Sequence, residues 1–455
     1  MTFVRSLESR PAQPLSPPQP MRWLDRLARR LVVGRLSGLR DGQITLDDAT
    51  GRTRLGAGGD LHATVRVHDS GFYRQAALGS NLAVALSFVR GEWECDDLPA
   101  LIRMFVRNEA AAERLESRWA RLTHGLHRLA HRWHANTLRG SRRNIQAHYD
   151  LGNDFFELWL DDTWAYSSGI FAAPGATLRD ASVEKFDRIC RKLDLRPGDH
   201  LLEIGTGWGG LAIHAAEHYD CRVTTTTISQ QQYELADRRI KAAGLSDRVQ
   251  LLFKDYRELT GRFDKLVSIE MIEAVGHKYL DTYFRKCGEL LKPEGSLLLQ
   301  AIVMPERGYD AYLNSVDFIR RYVFPGGCLP SITSTLESIG RTSRLRLVHA
   351  EDFGSHYAET LRRWRASFQQ RLPQVRQLGY SEELIRLWDY YLCYCEGAFE
   401  ERHVGVVQLC FDNHECRRDP IKIGQRAAQV PSLERERSAP VKNSHFHSCL
   451  SESPR

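Results

Sequence analysis

Between positions 200 and 303 the chain alternates short apolar runs with amphipathic ones, and this rhythm restricts the fold more than any other feature of the sequence. Strand-like runs cover 200–204, 223–228, 249–253, 263–269 and 296–303, and helical runs cover 211–218, 230–243 and 279–291. Parallel strands need crossover helices between them, so the alternation predicts an α/β fold with a doubly wound, Rossmann-like parallel sheet. Its ligand should sit at the carboxyl ends of the strands. Helices near 355–370 and 382–399 and a last strand at 404–411 complete the pattern.

The remaining chain sorts around this unit. A proline-rich leader (1–20) precedes a smaller mixed, mainly helical N-terminal domain (21–112), a basic amphipathic linker helix (113–147), the catalytic domain (148–412) and a polar tail expected to be disordered (413–455). In the segment from Met21, Trp23, Leu24, Leu27 and Leu31 fall on one helical face, with Arg22, Arg26, Arg29 and Arg30 around the rest. The linker repeats the scheme with Trp119, Leu122, Leu126, Leu129 and Trp133, and reads equally as a membrane-surface helix or as one docked on the catalytic domain.

No run approaches the roughly 20 apolar residues of a membrane span, and ten scattered cysteines without CxxC pairs indicate neither a disulfide framework nor a zinc site. A cytoplasmic protein is expected. The net charge of +6 is modest but locally concentrated, which points to an anionic membrane surface, at the inner face of the cell membrane, as a peripheral partner. Basic charge alone is sequence-blind, and nothing else favours nucleic acid.

The segment LLEIGTGWGG (201–210) is an apolar strand running into glycines, where backbone amides can approach a ligand closely. Its G-x-G-x-G spacing differs from the dinucleotide fingerprint, and Glu203 just before the turn suits a cationic ligand and would repel a pyrophosphate. A sulfonium nucleoside fits that charge logic. The second strand ends at Thr227 with Ser229 and Gln232 as neutral ribose partners, or simply as β-formers and caps. At the third, Asp255 beside Tyr256 could hold an adenine or cap a helix.

The ordered blocks HYDLGNDFF (148–156), YSSGIF (166–171), LLEIGTGWGG, ISQQQ (228–232), MIEAVGHKYLDTYF (271–284), FPGGCLPS (324–331) and YYLCYCEGAF (390–399) resemble the cyclopropane-fatty-acyl-phospholipid synthases, and RGEWECDDL (90–98) resembles their N-terminal domain. The resemblance implies a seven-stranded methyltransferase sheet and S-adenosylmethionine as cofactor. It would be bound by Tyr166 and Ser167, by Leu201, Leu202, Glu203, Ile204, Gly205, Thr206, Gly207, Trp208 and Gly209, by Thr227, Ile228, Ser229, Gln230, Gln231 and Gln232, and by Asp255, Tyr256 and Arg257. The implied substrate is an unsaturated acyl chain of a phospholipid, and a homodimer is compatible with the pattern.

An isolated alkene has no acidic proton, so the chemistry requires an activated methyl donor, exclusion of water from the resulting carbocation, and one proton acceptor. In the family that acceptor resembles a bound bicarbonate, whose matching positions here are Ser168, Glu273, Gln300, Tyr357 and the backbone of Ile302. Serine and glutamine replace the family's cysteine and histidine, which keeps hydrogen bonding but alters acidity. The expected product is a cyclopropane fatty acid, and a displaced acceptor would give a methyl-branched or methylenated chain instead. Cys395 matches a cysteine sometimes assigned to the family's active site, although a carbocation route needs no thiol nucleophile and buried cysteines are usually packing. A methyltransferase of another small molecule, and a catalytically silent membrane-binding protein, are the rival readings.

Overall fold

The strand-forming runs assemble as their composition demands. In the computed structural model, β5 (His200–Ile204), β6 (Arg222–Thr227), β7 (Val249–Phe253), β8 (Phe263–Ile269), β9 (Leu291–Val303), β10 (Arg346–Asp352) and β11 (Gly405–Asp412) form a seven-stranded sheet of order β10-β11-β9-β8-β5-β6-β7. The five strands from β9 to β7 are mutually parallel, while β11 pairs antiparallel with both β9 and β10. Residues 21–78, 81–108, 151–419 and 421 are described. The expected leader, the linker helix at 113–147 and the tail beyond 421 lie outside them, as does His148.

Helices α5 (Leu178–Lys192), α6 (Gly210–His218), α7 (Gln230–Ala242), α8 (Leu280–Leu290) and α9 (Ile332–Thr342) join the strands. Local sequence sets their starts. Thr177 and Asp180 form a reciprocal capping box at α5, and Ser229 caps α7, each cap contributing about 1 kcal/mol. The sheet centre is dry on both faces, with Leu202, Leu266 and Leu297 at 0% exposure on one and Val267 and Leu298 at 0% on the other.

The N-terminal segment forms a four-stranded sheet of β1 (Gly42–Asp48), β2 (Gly51–Gly58), β3 (His62–Val67) and β4 (Trp93–Cys95), with α1 (Trp23–Leu36), α2 (Gly71–Leu78), α3 (Asn81–Val89) and α4 (Leu98–Arg107). Its apolar side is continuous with the core under α10 (Gly354–Gln370) and α11 (Glu382–Glu400). Phe88 packs on Tyr390 with ring centroids 5.4 Å apart, and the Arg386 guanidinium donates to the carbonyls of Phe88 and Trp93 at 2.6 and 2.8 Å. The described residues from Met21 to Asp419 belong to one compact unit.

Candidate active site

The three glycines of the β5–α6 turn adopt the left-handed backbone that the turn requires, at φ +102° (Gly205), +54° (Gly207) and +86° (Gly209). A Cβ on Gly207 would meet nothing within 4 Å, because the turn faces a cavity of about 860 Å³. That volume is at the upper end of the range usual for small-molecule sites, about 300–1,000 Å³. The cavity lies at the carboxyl ends of β5, β6, β7 and β8, as the topology dictates.

Tyr166, Ser167, Glu203, Ile204, Gly205, Thr206, Gly207, Trp208, Thr227, Ile228, Gln232, Asp255, Tyr256 and Arg257 all line this cavity. Other expected cofactor contacts do not. Leu201 and Leu202 are buried within β5, Gly209 caps α6, Ser229 caps α7, and Gln230 and Gln231 are exposed on its first turn. Leu201 and Leu202 lie short of the carboxyl end of β5, where the cavity opens, and only one side of a helix start can face a single ligand. Asp255 caps the turn at Tyr256–Glu258 and binds Arg257 in a fork, with both nitrogen–oxygen distances 2.7 Å. Glu203 accepts from the Thr225 hydroxyl at 2.5 Å, and burial pushes its carboxyl up to about 8.

The region fits S-adenosylmethionine. A glycine cradle with an open face, a buried acid aimed into it, a cation–anion pair at Asp255–Arg257 and the ring of Tyr256 provide for amino acid, sulfonium, ribose and adenine chemistry.

Beside the cradle, the residues expected around an anion converge on a residue the sequence reading missed. Ser168 N–H donates to Glu270 Oε1 at 2.9 Å, Gln300 Nε2 to the same oxygen at 2.7 Å, and the Tyr357 hydroxyl to Oε2 at 2.7 Å. Ser168 contributes only its backbone here, since its hydroxyl turns to the Gly169 carbonyl at 3.1 Å. Glu270 takes φ +46°, a costly conformation for a non-glycine residue by about 1–2 kcal/mol, and its N–H is tied to the Gln300 carbonyl at 2.8 Å. Burial raises its carboxyl above the usual range, opposed by Gln300, Tyr357, the Lys185 ammonium and Ser168. Lys185 is fully buried, donates to Ser167 Oγ at 2.6 Å and is pushed down to about 8 by burial.

Glu273 stands apart from that cluster. Its Oε1 accepts from Ile302 N–H at 2.6 Å, and its Oε2 is buried with no partner among the described residues. Burial, and then the neighbouring Glu270, push its carboxyl up to about 8. Bicarbonate does not fit this arrangement. Three of the groups foreseen for it already serve a carboxylate of the chain, and a second anion there would be repelled at close range. A signal for Glu270 existed in SIEMIE (268–273), an acid directly after the β8 strand, but Glu273 carried the match to the family motif.

Cys395 lines the cavity, and burial, followed by Asp317, holds its thiol far above neutrality, so it is a wall group rather than a thiolate. The described part of the HYDLGNDFF block, residues 151–156, supplies structure behind the wall. Phe156 contacts Tyr166 and Trp208 with centroids 5.4 and 5.1 Å apart, and Trp208 Nε1 donates to Asn153 at 2.8 Å.

Comparison with known proteins gives this geometry a lineage. The chain is 37% identical over 329 residues to tuberculostearic acid methyltransferase UfaA1 of Mycobacterium tuberculosis, covering 71% of this chain and 76% of that protein. It is 35% identical over 375 residues to cyclopropane-fatty-acyl-phospholipid synthase of Escherichia coli strain K12, covering 79% and 90%. The structure of mycolic acid cyclopropane synthase CmaA1 complexed with SAH and CTAB superposes with a TM-score of 0.56 at 31% identity, over 60% of this chain and 98% of that one. Residues 136–409 match the family described as mycolic acid cyclopropane synthetase, and the chain belongs to that family of S-adenosylmethionine-dependent methyltransferases.

Proposed function

We propose that the protein transfers the methyl carbon of S-adenosylmethionine to the cis double bond of an unsaturated phospholipid acyl chain and closes a cyclopropane ring, with Glu270 as the proton acceptor. The observation that carries this reading is the Glu270 carboxylate, fixed by three donors at the wall of the cofactor cavity.

Bound S-adenosylmethionine supplies an activated methyl group, whose addition to the alkene leaves a cation on the acyl chain. The rings of Tyr166, Phe324, Tyr391, Tyr394 and Phe399 line the cavity, where they exclude water and present π faces to positive charge. Glu270 then takes one proton from the added methyl group. Its Oε1 already accepts twice and Oε2 once, so Oε2 is the oxygen that receives the proton. Loss of that proton as the ring closes leaves a net gain of CH₂. Glu273, largely protonated near neutrality, shapes the pocket beside Glu270 without competing for the proton.

A tethered base reaches only the hydrogens in front of it, whereas a small diffusible anion can settle elsewhere. The same cation losing a different proton to Oε2 would give a methyl-branched or methylenated chain, and the similarity to a tuberculostearic acid methyltransferase favours this as the second reading. Expression in a host lacking its own synthase, followed by mass spectrometry of fatty acid methyl esters, tests both. A gain of one CH₂ is expected, fragmentation separates ring from branch, and unchanged fatty acids would overturn the proposal.

The lipid substrate agrees with the surface of α1. Asp25, Ala28, Val32 and Leu36 are buried, whereas Trp23, Leu24, Leu27 and Leu31 are 72%, 44%, 51% and 46% exposed. The outward apolar stripe is flanked by exposed Arg22, Arg26 and Arg30, the arrangement of a helix lying in an anionic lipid interface. Among the described residues no helix is long and apolar enough to cross a membrane. We therefore place the protein peripherally on the inner face of the cell membrane.

A further inference from the structure

Behind Glu270 a buried line of polar side chains runs through the sheet to a lysine. Gln300 on β9 and Gln408 on β11 are direct cross-strand partners, both at 0% exposure. Gln408 Nε2 donates to Gln300 Oε1 at 3.0 Å, and Lys192 Nζ, at the end of α5 and 2% exposed, donates to Gln408 Oε1 at 2.7 Å. Lys192 also pairs with Glu351, which Arg188 holds from its other oxygen at 2.7 Å.

The two ends of this line dictate its direction. An ammonium group can only donate, so Gln408 must turn its oxygen to Lys192 and its NH₂ to Gln300. Gln300 must then receive through its oxygen and offer its NH₂ to Glu270. The reversed orientation would set NH₂ against ammonium at one end and a carbonyl oxygen against a carboxylate at the other. Chemistry at the ends therefore fixes two amides that could otherwise flip. Aligned hydrogen bonds of this kind also polarise one another in a dry interior.

We propose that Lys192 and Gln408 are positioning residues for the reaction: through them the Gln300 amide is held as a donor to Glu270, which keeps that carboxylate ionised and aimed at the site of proton loss. The proposal rests on Glu270 being the proton acceptor. Neither residue touches substrate, and an amide chain of this sort orients without relaying protons. Lys185 on α5, Glu273, Tyr357 on α10 and Tyr391 on α11 are the other titratable groups facing Glu270, and none is altered by a change at Lys192.

The test is a double-mutant cycle on the full-length protein, assayed with S-adenosylmethionine and dioleoylphosphatidylglycerol vesicles. Lys192→Met and Gln300→Met should each lower kcat about tenfold with the KM for S-adenosylmethionine within about twofold, and the double variant should be no worse than Gln300→Met. The acid limb of the kcat/KM profile should move to higher pH in Lys192→Met, because a carboxylate that loses a donor protonates more readily, and should not move further when Lys192→Met is added to Gln300→Met. Multiplicative losses, or an unmoved acid limb, overturn the proposal. Should Lys192→Met fail to fold, Gln408→Met breaks the same line while leaving the Lys192–Glu351 pair intact, with the same expectations. Glu270→Gln separates the two claims. If that variant stays active the acceptor assignment is wrong, and if it is inactive while the cycle is multiplicative only the positioning role fails.

Discussion

The Tyr357 hydroxyl, on α10, donates to Glu270 Oε2 at 2.7 Å, joining a helix that follows the central parallel strands to the residue at the end of β8. Burial, and then the Glu270 charge, keep the tyrosine protonated, so it acts as a fixed donor.

Glu270→Gln retains shape but cannot take a proton, and turnover should fall about 10²- to 10⁴-fold, the usual contribution of a general base. Isothermal titration should show S-adenosylmethionine affinity within a few-fold of the parent. Tyr357→Phe should cost about tenfold in kcat and move the acid limb upward, since the charged form of Glu270 loses a donor. Full activity in Glu270→Gln would remove the acceptor from the mechanism.

Glu203 is raised to about 8, so it is largely neutral near pH 7 and ionises as pH rises. Its ionised form attracts a sulfonium ligand. Affinity for S-adenosylmethionine should therefore increase from pH 6.5 to 8.5, and Glu203→Gln should bind more weakly at pH 8.5 with a flatter dependence. Calorimetry at both pH values checks this, and an unchanged slope in the variant would assign the dependence to another group.

Glu273, also raised to about 8 from 4.5, has a defined effect on stability. The folded state holds its proton more tightly than the unfolded chain, so this contribution is complete below about pH 4.5 and is lost as pH rises through about 8. Glu273→Gln carries no such loss. Without ligand, its melting temperature relative to the parent should be higher at pH 8.5 than at pH 5.5, by differential scanning fluorimetry. Equal differences at both pH values would contradict the buried, protonated state.

Cys395 should be dispensable as a nucleophile. Cys395→Ala should keep kcat within about threefold, the cost being a small void in the wall. A loss of more than about a hundredfold, with S-adenosylmethionine binding intact, would reinstate the thiol in the chemistry.

The α1 stripe should carry membrane binding. Leu27→Glu with Leu31→Glu changes exposed positions and should alter stability by little, about 0.5 kcal/mol each, while abolishing flotation with anionic vesicles. Arginine contacts worth about 1 kcal/mol each should make parental binding weaken in high salt. Undiminished flotation of the double variant, or a dimer that the variant disrupts instead, would assign the stripe to another partner.

Periodicity and turn chemistry made much of this protein legible from its residues. Strands β5, β7 and β8 lie where the apolar runs place them, because short apolar runs bounded by turn residues mark strands in the middle of the sheet, as β5 and β8 are, and at its edge, where β7 leaves Phe253 43% exposed. The glycines at 205, 207 and 209 announce their positive φ, since few other residues tolerate it. Strand β10 escaped notice because it lies at the sheet edge, where RLVHAED is mostly exposed and its alternation is weak. The exposure of the α1 stripe was equally invisible, because an apolar face looks the same whether it meets a core or a lipid surface. Above all, the centre of the site is a tertiary product. Ser168, Glu270, Gln300 and Tyr357 come from a loop, the end of one strand, the interior of another and a distant helix. Residue types declare what bonds each group can make, but only the packed sheet decides which groups meet, and here it brought the donors foreseen for a free anion onto a carboxylate of the chain itself.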